Sequence, residues 1–342
     1  MMTVGSLFAG IGGIDLGLER AGMRTLWQVE IDATARRVLS RHWPDVERHA
    51  DVRAVGRDSL ALVDVIVGGF PCQDLSTAGQ RRGFGGTRSV LYYEMTRIVD
   101  ELRPPYFLWE NVPGLLSSRG RHDFAAVLAE MDRIGYMGGW RVLDARHFGL
   151  AQRRRRVFGC FARRDIGALS AAEILALGAS MRGHPAPRRE AGQDVAGTPG
   201  GGTPSGGPKP DTDAMTLIPA IANALQERDA KGTDSDTKPG RLIPTFAFNS
   251  TQIMRPTDRS IVGPGSPVPT LTQTGLMSVA NSVGVRRLTP TECERLQGFP
   301  DGWTAAGGDG RLIADSARYR MLGNAVAVPV AEWIGRRMVA HG

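Results

Sequence analysis

The first 160 residues alternate between short apolar runs and stretches with helical spacing of apolar positions. Strand-like runs fall at Val4–Phe8, Thr25–Val29, Val63–Val67, Tyr106–Trp109, Trp140–Leu143 and Val157–Phe161. Helical patterns lie between them, at Asp15–Arg20, Ala33–Arg41, Leu91–Leu102 and Phe124–Ile134. Strands alternating with helices through short connections predict an α/β fold, a doubly wound and mostly parallel sheet. The pattern then stops. Residues 183–213 hold 14 Gly or Pro among 31, a composition that forms no packed core and reads as linker or loop. Residues 228–270 mix polar residues, Pro and short strand-like pieces such as Thr245–Phe248. Helical periodicity returns at Pro290–Leu296 and Ala325–Val339. An α/β body is therefore interrupted by an irregular insert and then resumed, without internal repeats.

Composition narrows the class. At 342 residues the chain is long enough for two domains and a full core without disulfide staples. The mean hydropathy is −0.18, and no apolar run reaches the ~18 residues of a membrane span. No charged segment followed by an apolar one opens the chain, so the expected compartment is the cytoplasm. Net charge is +7, and only three of the 42 cations are lysines (Lys209, Lys231 and Lys238). Arginine suits bidentate contact with phosphate and guanine, so the charge is compatible with a nucleic acid partner, and equally with codon bias alone. Three cysteines without a close pair indicate neither a disulfide framework nor a metal site.

Four segments carry candidate chemistry. The first strand runs into Phe8-Ala-Gly-Ile-Gly-Gly13, a glycine turn that lets backbone approach a ligand at the switch point of such a sheet. Glu30 closes the next strand about 20 residues on, where a carboxylate can accept ribose hydroxyls. The spacing departs from the dinucleotide fingerprint. Gly68-Gly-Phe-Pro-Cys-Gln73 places Cys72 just past a strand end, as a nucleophile or as an ordinary buried thiol; Cys160 and Cys293 fit the latter. Glu110-Asn-Val112 ends the strand Tyr106–Trp109, where apolar neighbours can raise a carboxyl pKa, although an exposed Glu is the simpler reading. In Gln152-Arg-Arg-Arg-Arg-Val157, an extended backbone puts Gln152, Arg154 and Arg156 on one face and Arg153 and Arg155 on the other. One face can then line a site while the other meets phosphates.

In this order the segments resemble the DNA cytosine carbon-5 methyltransferases of bacterial or phage type. Two more matches lie near the end, Arg287–Gly302 and Gly323-Asn-Ala-Val-Ala-Val-Pro329. The resemblance spans roughly 3–162 and 285–340. It implies an S-adenosylmethionine-dependent sheet in 1–163, a smaller irregular target-recognition domain in 164–284, and a C-terminal return to the catalytic body in 285–342. S-adenosylmethionine would be held by Phe8, Gly10, Ile11, Gly12, Glu30, Asp51, Val52, Pro71, Leu91 and Asn324. Cys72 would be the nucleophile, with Glu110, Arg156 and less directly Arg154 acting on the cytosine ring. Ser76, Gln152, Arg153, Arg155 and Thr270 would contact DNA. The implied activity is methyl transfer to carbon 5 of a flipped-out cytosine in a specific duplex sequence, through a covalent Cys72–cytosine intermediate. The resemblance further implies a monomer serving restriction–modification beside a cognate endonuclease. Rival readings are an RNA cytosine methyltransferase, against which the sizeable insert speaks, and a silent DNA- or cofactor-binding module, against which the joint presence of Cys72, Glu110 and Arg156 speaks. A nicotinamide oxidoreductase is the most distant.

Overall fold

The computed structural model describes residues 1–70, 89–166, 173–175, 246–249, 277–281 and 284–341. Seven strands form one sheet: β1 (Thr3–Leu7), β2 (Arg24–Val29), β3 (Glu47–His49), β4 (Val65–Gly69), β5 (Tyr106–Asn111), β6 (Tyr136–Asp144) and β7 (Arg155–Arg163). Their spatial order is β3-β2-β1-β4-β5-β7-β6. All neighbours from β3 to β5 are parallel, whereas β7 runs antiparallel to both β5 and β6. The order reverses at β1, so the carboxyl ends of β1 and β4 flank a crevice, the usual ligand position in an open α/β sheet.

Both faces of the central strands are covered, which is why β4 and β5 read as unbroken apolar runs. On one face Ile66, Phe107 and Trp109 pack against α3 (Ser89–Leu102) and α4 (His122–Arg133) through Met95, Ile98, Val127 and Met131. On the other, Val65, Val67 and Leu108 meet α1 (Gly13–Arg20) and the last helix, α7 (Val328–His341), through Leu18, Val330, Ile334 and Met338. The contact between α1 and α7 is close: a Cβ at Gly17 would stand 2.6 Å from that of Ala331. A third cluster ties α2 (Ala33–His42) to α5 (Pro290–Gln297) and α6 (Asp315–Asn324) through Leu39, Trp43, Leu296, Trp303 and Leu322. The C-terminal segment is thereby packed onto the N-terminal body.

Six strands and four helices of the N-terminal part lie where periodicity predicts them, with shifted ends. The strand expected at Trp140–Leu143 is the nine-residue β6, and Val63 and Asp64 precede β4 instead of joining it. Two elements escape the pattern. The polar Glu-Arg-His of β3 has no apolar alternation because it sits at the sheet edge. The helix expected over Ala325–Val339 starts three residues later, as α7, with Pro329 in its first turn, where its missing N–H costs nothing, and α6 before it had no counterpart in the pattern. A separate three-stranded antiparallel sheet, order β10-β9-β8, is formed by β8 (Phe246–Asn249), β9 (Met277–Asn281) and β10 (Gly284–Arg287).

Candidate active site

After β1 the backbone takes three left-handed residues, Phe8 (φ 54°), Gly10 (φ 58°) and Gly12 (φ 80°). Such a conformation is strained for Phe8, and strain of this kind is concentrated where chains hold ligands. The turn is pinned by Glu30, whose Oε2 accepts from the Gly10 N–H (2.7 Å) and whose Oε1 accepts from the Asp32 N–H (2.7 Å). Burial pushes the Glu30 carboxyl above the usual carboxylate range, against these two hydrogen bonds. From the far end of the chain, Trp303 Nε1 donates to the Ile11 carbonyl (2.9 Å). Gly12 has Trp43 packed where a side chain would begin: a Cβ there would lie 2.4 Å from the indole.

This turn borders a cleft of about 540 Å³. Phe8, Gly10, Ile11, Glu30, Glu110, Arg156 and Asn324 all line it, brought together from β1, β2, β5, β7 and the end of α6. Sequence reasoning passed over several other lining residues, Ile31, Asp32, Ala35, Arg320 and Met321. Ile31 is 69% exposed, and its position directly after Glu30 was the available signal. Arg320 is fixed by an ion pair to Asp32 (2.9 Å). Asp51, Val52 and Leu91 do not line the cleft. Asp51 instead pairs with Arg53 (2.6 Å), which draws its pKa down to about 2, while Val52 and Leu91 pack into or against the apolar core.

On the β5–β7 wall, Arg156 Nε lies 3.0 Å from Glu110 Oε1, and both side chains are largely buried. Desolvation raises the Glu110 pKa, opposed by the charges of Arg156 and then Arg154. Gly69 leaves room for this carboxylate, since a Cβ there would stand 3.1 Å from Oε2. The neighbouring Asn111 is buried, and its Nδ2 donates to the carbonyl of Phe70 (3.1 Å), tying the β5 end to the segment that leads to Cys72.

The arginine run alternates as an extended chain must. Gln152 and Arg154 are buried and Arg156 partly so, while Arg153 and Arg155 face solvent. Two expectations change as a result. Gln152, expected at DNA, is 0% exposed and presents no atom to an outside partner. Arg154, expected near the cytosine, is 2% exposed and donates from Nη2 to the carbonyls of Gly323 (3.1 Å) and Ala325 (2.7 Å). It braces the α6–α7 break beside Asn324. Burial and the charge of Arg156 lower its pKa to about 9, so it stays cationic at neutral pH. Cys160 and Cys293 are buried thiols pushed up to about 12, unsuited to nucleophilic work. Pro71, Cys72, Ser76 and Thr270 lie outside the described residues, as does nearly all of the expected recognition domain.

The cleft fits a nucleoside-bearing cofactor. Each oxygen of Glu30 keeps a lone pair beyond its backbone bond and can accept a ribose hydroxyl, and exposed Ile31 offers apolar cover to a flat base. Among the described residues, no group of three or more His, Cys, Asp or Glu is arranged to hold a metal, and no helix is long and apolar enough to cross a membrane.

Comparison with known proteins agrees. The family model for C-5 cytosine-specific DNA methylases matches residues 2–340. Type II methyltransferase M2.BsuMI of Bacillus subtilis (strain 168) is 31% identical, over 98% of this chain and 75% of its own length. A protein of Escherichia phage P1 named DNA N-6-adenine-methyltransferase is 30% identical over 98% of this chain, and that match covers 61% of the phage protein. Among solved structures, the Dnmt2 methyltransferase of S. pombe superposes with a TM-score of 0.60 at 16% identity over 99% of each chain, a likeness of fold. The chain belongs to the C-5 cytosine-specific DNA methylases.

Proposed function

We propose that methyl transfer to carbon 5 of cytosine in DNA is carried out in this protein by Cys72, Glu110 and Arg156. The observation that carries this reading is the Glu110–Arg156 pair, 3.0 Å apart, in the wall of the same cleft that the glycine turn, Glu30 and Asn324 line. S-adenosylmethionine, the methyl donor of this family, supplies an electrophilic methyl group when bound there. Phe8, Gly10, Ile11, Glu30 and Asn324 hold it.

Carbon 5 of cytosine is too weak a nucleophile to take a methyl group unaided. The Cys72 thiolate forms a bond to carbon 6 and pushes ring electrons toward nitrogen 3. Glu110, whose pKa burial raises, holds or protonates that nitrogen, and Arg156 steadies the developing negative charge. Carbon 5 then has enamine character and donates its electron pair to the methyl. Loss of the carbon-5 proton to solvent and departure of the thiolate restore the aromatic ring. In sequence Cys72 comes two residues after Phe70, which lines the cleft. A stacked base offers no access to carbon 6, so the cytosine must leave the duplex. Arg153 and Arg155, exposed where β7 begins, face the phosphates. Residues 164–284, with Thr270, read the target sequence. The relatives' type II names support pairing with a restriction endonuclease, and we propose that the protein works as a cytoplasmic monomer.

Plasmid DNA from cells expressing the chain tests this. Mass spectrometry of its nucleosides should show 5-methylcytosine, and bisulfite sequencing should place it at one short recurrent sequence. Cys72→Ser should abolish the mark while purified protein still binds S-adenosylhomocysteine. A mark retained by that variant removes the nucleophile assignment, and N6-methyladenine in place of 5-methylcytosine removes the base assignment.

A further inference from the structure

Beneath the glycine turn is a second, smaller cavity of about 60 Å³. It shares Phe8, Gly10, Gly69, Glu110 and Asn324 with the larger cleft, and is deepened by Ser6 and Asp15. Asp15 is 0% exposed, and its carboxylate is held by neutral donors: Ser6 Oγ to Oδ2 (3.0 Å), Gln28 Nε2 to Oδ1 (3.0 Å) and its own backbone N–H. Among the described residues, the charged group acting on it is Glu19, one turn along α1, and Glu110, itself paired with Arg156, lines the cavity too. Among the described residues, no arginine forms an ion pair with this carboxylate. Buried carboxylates are ordinarily paired with a cation, and a cavity lies beside this one.

We propose that the Ser6–Asp15 pair is the counter-charge for the ammonium group of the methyl donor's methionine moiety. This inference rests on the reading of the adjoining cleft as the donor site. Ser6 donates its proton to Asp15, which leaves its hydroxyl oxygen free to accept from an ammonium N–H. Asp15 is thus a positioning residue that acts through Ser6 and supplies the negative charge. Without that cation the carboxylate is poorly solvated: burial raises its pKa to about 6. Binding of the ammonium therefore favours the ionised form and weakens as pH falls below that value. The product S-adenosylhomocysteine keeps the same ammonium, so the pair serves donor and product alike.

Calorimetry with the full chain tests this, using S-adenosylhomocysteine and 5′-deoxy-5′-methylthioadenosine, which keeps the nucleoside and lacks the amino acid. Asp15→Asn should weaken S-adenosylhomocysteine about 10- to 100-fold, the range of a charge-assisted hydrogen bond, and leave methylthioadenosine within about twofold. Ser6→Ala should act in the same direction. In the wild type the ratio of the two affinities should drop as pH is lowered through about 6, and in Asp15→Asn it should stay flat. Equal weakening of both ligands, or unchanged binding of S-adenosylhomocysteine by a folded Asp15→Asn protein, would overturn the assignment. If the wild type binds neither ligand, the donor-site reading fails, and this inference with it.

Discussion

The 60 Å³ cavity is bordered by two carboxylates that the chain treats in opposite ways. Glu110 has Arg156 at 3.0 Å and the charge of Arg154 behind it, and both cations oppose the effect of burial on its pKa. Among the described residues Asp15 has hydroxyl and amide donors and no cation, with Glu19 adding to the effect of burial. The first arrangement is complete within the protein: a buried carboxyl whose upward shift is opposed by charges that do not depend on a ligand. The second is left open toward a cavity. A buried acid with internal cations is set for proton chemistry on a substrate ring, whereas one without them is set to receive a cation from outside. The difference follows from strand order. Glu110 ends β5, whose neighbour β7 begins with the arginine run, while Asp15 stands over β1 and β2, whose inward residues here are Ser6 and Gln28.

The strongest way to break the comparison is at Glu110. Glu110→Gln keeps the size and the hydrogen-bonding capacity but removes the ionisable proton. Its single-turnover rate should fall by about 10²–10⁴, the contribution of a positioned general acid, with S-adenosylhomocysteine affinity unchanged within a few fold. A near-wild-type rate would make Glu110 a structural partner of Arg156 and nothing more.

Removal of the more distant cation sharpens the contrast. Arg154→Met should cost stability, about 1–3 kcal/mol for each of the Gly323 and Ala325 carbonyls left without their donor. It also withdraws one of the charges that lower the Glu110 pKa, so that pKa should rise further. A group needed in its protonated form loses activity as pH rises through its pKa. The alkaline limb of the kcat/KM profile should therefore move to higher pH. A profile that stays in place while the melting temperature drops would confine Arg154 to bracing the α6–α7 break.

Much of this arrangement was legible in the sequence, for reasons the burial explains. Val65–Val67 and Phe107–Trp109 are covered on both faces, so their apolarity is unbroken and their strands could be read directly. Glu110 was legible only through the family resemblance, since a Glu after four apolar residues reads more simply as exposed, and the structure buries it. β3 and α6 were hidden, the first a polar edge strand and the second a helix with weakly segregated faces that is held by Met321 and Leu322. Arg154 was read on the correct face but its hold on the α6–α7 break was not, because alternation gives the direction of a side chain and not the carbonyls that await it from 169 residues away. Asp15 gave no signal at all. An acid in the first turn of a helix is common on electrostatic grounds alone, and only tertiary structure shows that this one is sealed beneath the cofactor turn.

That burial leaves a trace in the protein without ligand, and its sign separates the two carboxylates. The Asp15 pKa is about 6 when folded against 3.8 for the free side chain. Between these values the folded state binds more protons than the unfolded chain, so stability falls as pH rises through the window and the full penalty stands above pH 6. A shift of this size corresponds to about 3 kcal/mol. Asp15→Asn removes the titration and keeps a neutral side chain of equal size, so it should be more stable than the wild type above pH 6. Its advantage should shrink by about 3 kcal/mol toward pH 4, measured as the difference between the two proteins in urea unfolding, where the titrations they share cancel. Saturating S-adenosylhomocysteine should narrow the gap at pH 7.5, because an ammonium beside the wild-type carboxylate relieves the penalty that the variant lacks. A constant gap across pH would mean that Asp15 is adequately solvated by Ser6 and Gln28 alone, and the contrast with Glu110 would then be one of position and not of charge.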